Sequence, residues 1–516
     1  MIKKSLYLII KKFLLIYFFV FPGKLRFKIL SRLNFEIIDF NNYEKNKNLI
    51  FKKDFFKIEK NPVIYNYDFI SLCNKIGGKK GIEIAKLGIF RWYEKNRYRV
   101  GLMWETEHIA KRILNLIYNF DFINSISTKS EEYKLKKILK ININAFNRFI
   151  FAKNYNEYSL LEFKVYILIK YIFDEEIGNI KNKFKLIIDN QIDHFSMHKT
   201  YNIFEQAKFI NDINEIISML LNFKSEVPEI LNMTKIKMEA LLAQYFHKDG
   251  TLALFNGTNN YNLEKTKLAL REKVVIRKIE YPDNTNGIFY FEDKQKKIFL
   301  DGVQPTHSPH SKKLSAGTLS IEFSSDKDKI ITNCGALEKT TGNAAYLRYS
   351  AAHSTIVLEN TNISEIRDNQ PHIKFPQTVS FKKQLDGSIH SVEASHNGYI
   401  KNYKKIVKRK INFQENKNYL KGEDVIISAT SKNREVIYHI RFHILPNINV
   451  TQTNNKKNII LKTKNNTIWI FNSNKNLVLE ESVFIDKNDV KETKQIVIKG
   501  ITKKNREIIQ WSLLKK

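Results

Sequence analysis

The chain has little cysteine, and beyond its first residues it has no long apolar run. Only Cys73 and Cys334 occur among 516 residues, so neither a disulfide framework nor a cysteine-rich zinc site is expected. No internal repeat is evident, and after the N-terminus no stretch is long and apolar enough to span a bilayer. These absences exclude a disulfide-stapled scaffold, a repeat array and a protein with many membrane-spanning helices.

Acidic residues are far fewer than basic ones. The chain has 86 Lys and Arg against 53 Asp and Glu, a formal net charge of +33. Such a charge suits a polyanionic partner, whether acidic polysaccharide, nucleic acid or a membrane surface. A general bias of composition towards Lys explains the same excess, because Lys is abundant in segments with no other sign of function. No nucleic-acid-binding motif accompanies the charge, so a specific nucleic-acid partner is not expected.

Residues 1–60 form a distinct N-terminal segment. Lys3 and Lys4 precede an apolar stretch that is split by Lys11 and Lys12 and ends at Pro22. The charge and apolar length indicate a signal segment or an uncleaved membrane anchor, although no small-residue cleavage site follows. An amphipathic first helix of a soluble protein is the alternative interpretation.

In the rest of the chain, the spacing of apolar residues changes once. From Tyr65 to Phe246 apolar residues recur at intervals of three and four, which is typical of helix hairpins joined by short polar connections. After about Gly287 the period becomes two, which predicts stacked antiparallel sheets, with residues 451–466 as a polar hairpin tip. With 43% hydrophobic residues, the chain can bury two or three cores. The predicted domains are therefore 61–260, helical, and 261–516, all-β.

The stretch from Gly317 to Glu359 has the densest group of polar candidates. Its first strand-length run, 318–323, alternates apolar and polar residues and is predicted to be a half-buried strand. Arg348, His353 and Ser354 lie close in sequence to the Asn333-Cys334-Gly335 corner. Ordinary loop and strand-end packing of these side chains is the alternative to a functional site.

Eight short sequence words, in order along the chain, resemble those of a known family. They are DGTLALFNGT, LSIEFS, IITNCGA, AAHST, ASHNGY, GEDVI, IRFHI and EESVFI. Together they resemble the heparinase II/III-like proteins of the polysaccharide lyase superfamily, and among these a bacterial branch that shares the NCG and AAHST words. The resemblance implies an N-terminal (α/α) toroid of helix hairpins followed by a C-terminal antiparallel β-sandwich.

Lyases of this superfamily cleave uronate-containing polysaccharides by β-elimination. The reaction needs a group that neutralises the uronate carboxylate, a base for the C5 proton and an acid for the leaving oxygen. By the resemblance, Tyr201 is the catalytic tyrosine, as acid or base, and His194 and His353 assist it. Packing of the Tyr201 ring against the next hairpin is the alternative.

The resemblance also implies substrate-binding residues. Arg348 and Arg441 are candidates for the uronate carboxylate, and Asn156 and Tyr158 are candidates for glycan contacts. Arg441 shares a strand face with His439 and His443, which is otherwise interpreted as the solvated side of a sheet.

The chain departs from the family pattern at several positions. Tyr158-Ser159 stands where the family has Asn-His, Ser315 replaces a histidine, and Asn333 replaces an aspartate of the metal-binding members. No metal and no cofactor is therefore expected.

The expected function is a lyase that binds an acidic polysaccharide in a cleft between its two domains. Its expected location is the cell envelope, in the periplasm, with the cytoplasm as the alternative. Membrane association through the N-terminal segment is part of this expectation. The alternative is a non-catalytic glycan-binding or capsule-assembly protein that kept the fold after losing the histidines at Ser159 and Ser315. Neither the polymer nor the oligomeric state follows from the sequence.

Overall fold

The computed structural model describes residues 61–99, 101–154, 157–173, 175–270, 287–337, 342–367, 370–486 and 489–516. The predicted signal or anchor segment lies outside these residues. The chain divides into two compact units, Met1–Gln191 with Phe209–Lys235, and Ile192–Lys208 with Ile236–Lys516. Over the ranges given above, no helix has the length and apolar character needed to cross a membrane.

The first unit consists of helices, as its period of three and four predicts. Two helices, Ile203–Asn222 and Glu229–Gln244, have residues in both units. The helices from α1 to α10 are Pro62–Tyr65, Phe69–Ile76, Gly78–Asn96, Thr106–Tyr118, Phe120–Asn124, Lys129–Ile150, Leu160–Ile172, Ile180–Gln191, Ile203–Asn222 and Glu229–Gln244.

Arg112 of α4 joins several parts of this unit. It is fully buried, and its Nε donates a hydrogen bond to Asn142 Oδ1 at 2.8 Å. Its Nη1 donates to the carbonyl oxygens of Tyr65 and Met103, both at 2.8 Å. Because a buried guanidinium without partners costs several kcal/mol, these bonds hold α4 to its neighbours.

The second unit contains the short helices α11 (Leu263–Leu268) and α12 (Ile400–Tyr403) and two eight-stranded antiparallel sheets. The first sheet has the order β1-β2-β3-β4-β10-β15-β14, and β5 also pairs with β10; the second has the order β11-β12-β13-β16-β9-β8-β7-β6. From β1 to β16 the strands are Ile288–Glu292, Lys296–Asp301, Ile321–Ser325, Asp328–Thr332, Ile356–Leu358, Val379–Asp386, Ile389–His396, Lys405–Gln414, Tyr419–Ser428, Ile437–Ile444, Asn449–Gln452, Asn458–Lys462, Ile468–Ser473, Leu477–Asp486, Asp489–Ile501 and Arg506–Lys515.

The core of this unit lies between the two sheets. Phe442 of β10 contacts Phe471 of β13 and Trp511 of β16, with ring centroids 4.8 and 4.9 Å apart. Arg409 of β8 is also fully buried, and it forms a two-pronged ion pair with Asp424 of β9 at 2.7 and 2.9 Å. The charge is tolerated there because its geometry is complementary and its partner is equally buried.

Two predictions about strands were wrong. The run 318–323 is not a half-buried strand, because β3 begins only at Ile321 and all five of its residues are buried. Its polar face is covered as well, since Glu322 binds partners inside the unit. Residues 451–466 are not only a hairpin tip, because they include β12, where Ile459 and Leu461 are fully buried.

Candidate functional site

Residues Ile192–Lys208, called here the Tyr201 loop, belong to the second unit. Asp193 closes a tight turn, because its Oδ1 accepts hydrogen bonds from the backbone N–H groups of Phe195 at 2.9 Å and Met197 at 2.8 Å. Burial raises the pKa of the Asp193 carboxyl, although hydrogen bonds from Met197, from the Tyr201 side chain and from Phe195 act in the opposite direction. The phenol of Tyr201 is thus placed beside a carboxyl group.

The backbone of Tyr201 is held in an uncommon conformation. Its φ is +49°, in the left-handed region that a bulky residue rarely adopts. Its N–H donates to the carbonyl oxygen of His198 at 2.7 Å, and the next residue, Asn202, caps helix α9 by accepting from Phe204 N at 2.9 Å and Glu205 N at 3.1 Å. Such conformations cost energy and cluster at functional sites, so the geometry supports a functional role for Tyr201.

Residues 314–317, 333–335 and 348–354 form a second group, called here the His353 corner. His353 is buried, and its Nδ1 lies 2.9 Å from the carbonyl oxygen of Tyr349, so Nδ1 carries the hydrogen. Its Nε2 has no hydrogen-bond partner among the described residues. Burial lowers the pKa of His353 to about 4, so the ring is neutral at pH 7 and Nε2 can accept a proton.

Gly317 makes room for the His353 ring. A Cβ atom added at Gly317 would lie 2.7 Å from a ring carbon of His353, closer than real Cβ contacts. The glycine is therefore needed for the position of the imidazole.

Asn256 connects the Tyr201 loop to the His353 corner. Asn202 Nδ2 donates to the Asn256 carbonyl oxygen at 2.9 Å, and Asn256 Oδ1 accepts from the backbone N–H of Ser315 at 3.1 Å. Tyr201 and His353 thus share one scaffold within the second unit. Asn256 Nδ2 is enclosed and has no hydrogen-bond partner among the described residues. Sequence reasoning missed Asn256 as a single residue, although it lies in the DGTLALFNGT word.

A second connection uses Glu205, which sequence reasoning also missed. Glu205 forms ion pairs with Lys313 and, at 3.3 Å, with Lys208. Burial raises the pKa of the Glu205 carboxyl, but Lys208 and Lys313 outweigh this effect and hold the pKa well below its usual range. The carboxylate therefore stays charged and fixes the start of α9 to the segment that leads into Ser315.

Three of the predicted site residues in the second unit, His194, Arg348 and Arg441, contact other groups of the protein. His194 is exposed, and its ring packs on Phe195 with centroids 3.8 Å apart. Arg348 is buried, and its Nε and Nη2 donate to the Leu314 carbonyl oxygen at 3.1 and 2.9 Å. Arg441 donates to Glu480 Oε2 at 3.2 Å. The structure therefore shows both arginines on protein groups, and their role at a carboxylate stays a prediction.

Of the two predicted glycan contacts of the first unit, Asn156 and Tyr158, the structure describes only Tyr158. Tyr158 is buried and its hydroxyl donates to the Ile150 carbonyl oxygen at 3.0 Å, while Asn156 lies outside the described residues. Ser159 caps helix α7 in a capping box with Glu162. At this position, where the resemblance places a histidine, the side chain therefore has a structural role.

Asn333, where the resemblance places an aspartate of the metal-binding members, makes structural contacts. Asn333 Oδ1 accepts from Ser354 N at 2.9 Å, and its Nδ2 donates to the Leu254 carbonyl oxygen at 3.3 Å. Over the part of the chain that is described, no three His, Cys, Asp or Glu side chains are grouped as metal ligands.

His443 of β10 lies behind the His353 corner and was not predicted as a site residue. Its Nδ1 lies 2.7 Å from Ser482 Oγ and 3.5 Å from Cys334 Sγ, and its Nε2 lies 3.0 Å from the Ala351 carbonyl oxygen. Burial lowers its pKa to about 3. The strand face that carries His439, Arg441 and His443 is therefore not solvated at His443, because the His443 side chain is almost fully buried.

Residues 284–512 match the family model described as Heparinase II/III-like, C-terminal. This region is most of the second unit and includes the His353 corner. No curated protein resembles the chain closely enough in sequence to count as a match.

Solved structures extend the likeness to the whole chain. Heparan sulfate lyase HepC from Pedobacter heparinus matches with a TM-score of 0.59 and 13% identity over 98% of this chain and 88% of that one. A structure described as heparinase III matches with a TM-score of 0.66 and 12% identity over 87% of this chain and 76% of that one. At such identities the likeness shows the fold, and it confirms the predicted (α/α) toroid followed by an antiparallel β-sandwich.

Proposed function

We propose that the protein is a polysaccharide lyase that cleaves an acidic, uronate-containing glycan by β-elimination, and that Tyr201 and His353 transfer the protons. The observation that carries the proposal is the shared scaffold of the Tyr201 loop and the His353 corner, joined through Asn256. The match of residues 284–512 to the heparinase II/III-like C-terminal family supports the reaction class.

The two side chains suit opposite steps of the elimination. His353 is neutral, and the hydrogen on its Nδ1 is held by Tyr349, so Nε2 is the acceptor for the C5 proton. A phenol has an ordinary pKa of about 10, so a tyrosine keeps its proton at neutral pH and can give it to the leaving glycosidic oxygen. The hydrogen bond between the Tyr201 side chain and the Asp193 carboxyl holds the phenol in place.

Neutralisation of the uronate carboxylate requires a cation near His353. We assign this role to Arg348, because it belongs to the same corner and its guanidinium is fixed on Leu314. His194, exposed on the Tyr201 loop, is assigned a role in glycan contact. An envelope location is part of the proposal, since an acidic polysaccharide is met there.

A non-catalytic glycan-binding protein is the second candidate, and one observation favours it. Ser159 is committed to a capping box where the family has a histidine, so one imidazole of the family site has no counterpart at this position. The two candidates differ in a single measurable property, the formation of an unsaturated product.

The test is to incubate the purified protein with a panel of uronate polymers, including heparan sulfate, chondroitin sulfate, alginate and polygalacturonate. A lyase produces a rise in ultraviolet absorbance from the new C4–C5 double bond. Binding measured by affinity electrophoresis without any absorbance change would identify the non-catalytic candidate, and neither binding nor product would contradict both.

Tyr201→Phe tests the assigned acid. The substitution removes the hydroxyl and keeps the ring, so we expect an unchanged melting temperature, unchanged glycan binding and a loss of elimination rate of about 10²- to 10⁴-fold. Tyr171→Phe in the first unit is the matched control and should keep full activity. If Tyr201→Phe retains most of the activity of the wild type, Tyr201 is not the acid.

A further inference from the structure

Tyr346 is an exposed aromatic residue that lies close in sequence to buried ones. Its side chain is 60% exposed, whereas Ala345, Arg348 and Ser350 are 7%, 4% and 0% exposed. The segment is the 3₁₀ turn Gly342–Arg348, which leads directly into the His353 corner. A large apolar ring left in water at such a place is a candidate contact for a ligand.

Tyr349 connects this ring to the proposed base. The rings of Tyr346 and Tyr349 pack edge to face, with centroids 5.3 Å apart and an interplanar angle of 83°. The backbone N–H of Tyr349 donates to the Tyr346 carbonyl oxygen at 3.0 Å, and the Tyr349 carbonyl oxygen accepts from His353 Nδ1 at 2.9 Å. One residue thus contacts both the exposed ring and the imidazole.

The turn that presents Tyr346 is held by several hydrogen bonds. Ala316 N donates to the Arg348 carbonyl oxygen at 2.8 Å, and Ser350 Oγ donates to the Ala316 carbonyl oxygen at 2.6 Å. Ser350 N donates to Asn362 Oδ1 at 2.9 Å. Because the backbone that follows the ring is fixed, less conformational entropy is lost when a ligand covers it than on a loose loop.

We propose that the Tyr346 ring is a stacking platform for one pyranose ring of the glycan, in a subsite next to the sugar whose proton His353 removes. The C–H face of a pyranose is apolar, and a tyrosine offers a flat apolar face at low entropic cost while its hydroxyl remains in water. This inference rests on the proposed function for the identity of the ligand. It adds a binding residue that acts on affinity and not on proton transfer.

The test uses glycan affinity as its first readout. Binding of a long uronate oligosaccharide is measured by titration calorimetry in the Tyr201→Phe background, where cleavage is slowed by about 10²- to 10⁴-fold. Tyr346→Ala should raise the dissociation constant about five- to tenfold, and Tyr346→Leu, which keeps apolar bulk without an aromatic face, should raise it as well. Tyr346→Phe should bind like its parent.

Tyr133→Ala is the matched control, because Tyr133 on helix α6 is 68% exposed and lies in the first unit. It should leave the affinity unchanged. In the catalytically active background, Tyr346→Ala should raise KM and leave kcat within about twofold, as expected for the loss of uniform binding.

The outcomes separate this inference from the proposed function. If the parent protein binds the oligosaccharide and Tyr346→Ala binds it equally well, the stacking platform is wrong and the lyase proposal is untouched. If Tyr346→Ala instead lowers kcat with KM unchanged, the residue acts on the chemical step and the platform is again wrong. If the parent binds none of the polymers in the panel, the proposed function is contradicted, and the stacking platform, which rests on it, is contradicted with it.

Discussion

Glu322 shows how much one buried carboxylate holds together. It is fully buried, and its two oxygens interact with five groups: His247 Nε2 at 2.9 Å, Lys329 Nζ at 2.7 Å, Leu254 N at 2.9 Å, Thr332 Oγ1 at 3.1 Å and Asn333 N at 2.8 Å. Burial raises its pKa, but Lys329 and His247 outweigh this and lower the pKa to about 2. Two of the five partners belong to the segments that carry Asn256 and the His353 corner.

Glu322→Gln should destabilise the second unit strongly. The amide keeps the shape but removes the charge that compensates Lys329, which is 1% exposed, so we expect a loss of about 3–5 kcal/mol in the free energy of unfolding. Chemical denaturation followed by circular dichroism measures this. Glu393→Gln, which breaks an ion pair with Lys408 on the surface, is the control and should cost about 1 kcal/mol or less. Equal effects of the two substitutions would contradict the importance of the buried network.

Strand β9 illustrates what a pattern of residue types can miss. The apolar run that marks a strand covers little more than Val425, Ile426 and Ile427, whereas β9 extends over Tyr419–Ser428. Gly422 and the charged residues around it are unfavourable for strands in isolation. The strand forms because it is central, between β8 and β16, and because Gly422 lies against the ring of Trp511 opposite to it.

Gly422→Ala should therefore be more harmful than an alanine in a strand usually is. The added Cβ would lie 2.1 Å from an atom of the Trp511 ring, and the ring must shift inside a closely packed core. We expect a cost of about 1–3 kcal/mol, visible as a lower melting temperature. Lys421 directly precedes Gly422 in the same strand and is exposed. Lys421→Ala should therefore change stability by about 0.5 kcal/mol or less. An unchanged melting temperature of Gly422→Ala would show that the ring can move at no cost.

The second unit as a whole contains an unusual number of buried, neutral histidines. Burial lowers the pKa of His247, His353 and His372 to about 4 and that of His198, His396 and His443 to about 3. Their ordinary pKa is about 6.5. The unfolded chain therefore binds more protons than the folded chain at mildly acidic pH.

The stability of the second unit should accordingly fall as the pH falls from about 6.5 towards 4. A group whose pKa is depressed by folding stabilises the folded state above its unfolded pKa and loses that contribution on acidification. Asp301 works in the opposite direction, because burial raises its pKa to about 7, and it offsets part of the loss. Melting temperatures measured from pH 7.5 to 4 should decrease steadily below 6.5. A constant melting temperature down to pH 4.5 would contradict the buried, neutral state of these histidines.

The sequence by itself determined the class of fold and the change of architecture after the helical region. Helices and strands depend on the spacing of apolar residues, which is a local property, and the strand face of His439, Arg441 and His443 lies in the observed strand Ile437–Ile444. The resemblance of short sequence words to a known family also named Tyr201 and His353 as candidates, and their catalytic roles stay predictions.

Only the tertiary structure decided which polar side chains are free to act and which hold the fold. Arg348 on Leu314 and Ser482 beside His443 are contacts between residues more than thirty positions apart in sequence. The bridge through Asn256 is of the same kind. Burial and pairing of a polar group depend on what the whole chain brings around it, and its desolvation cost is set there, so no local pattern of residues could have revealed them.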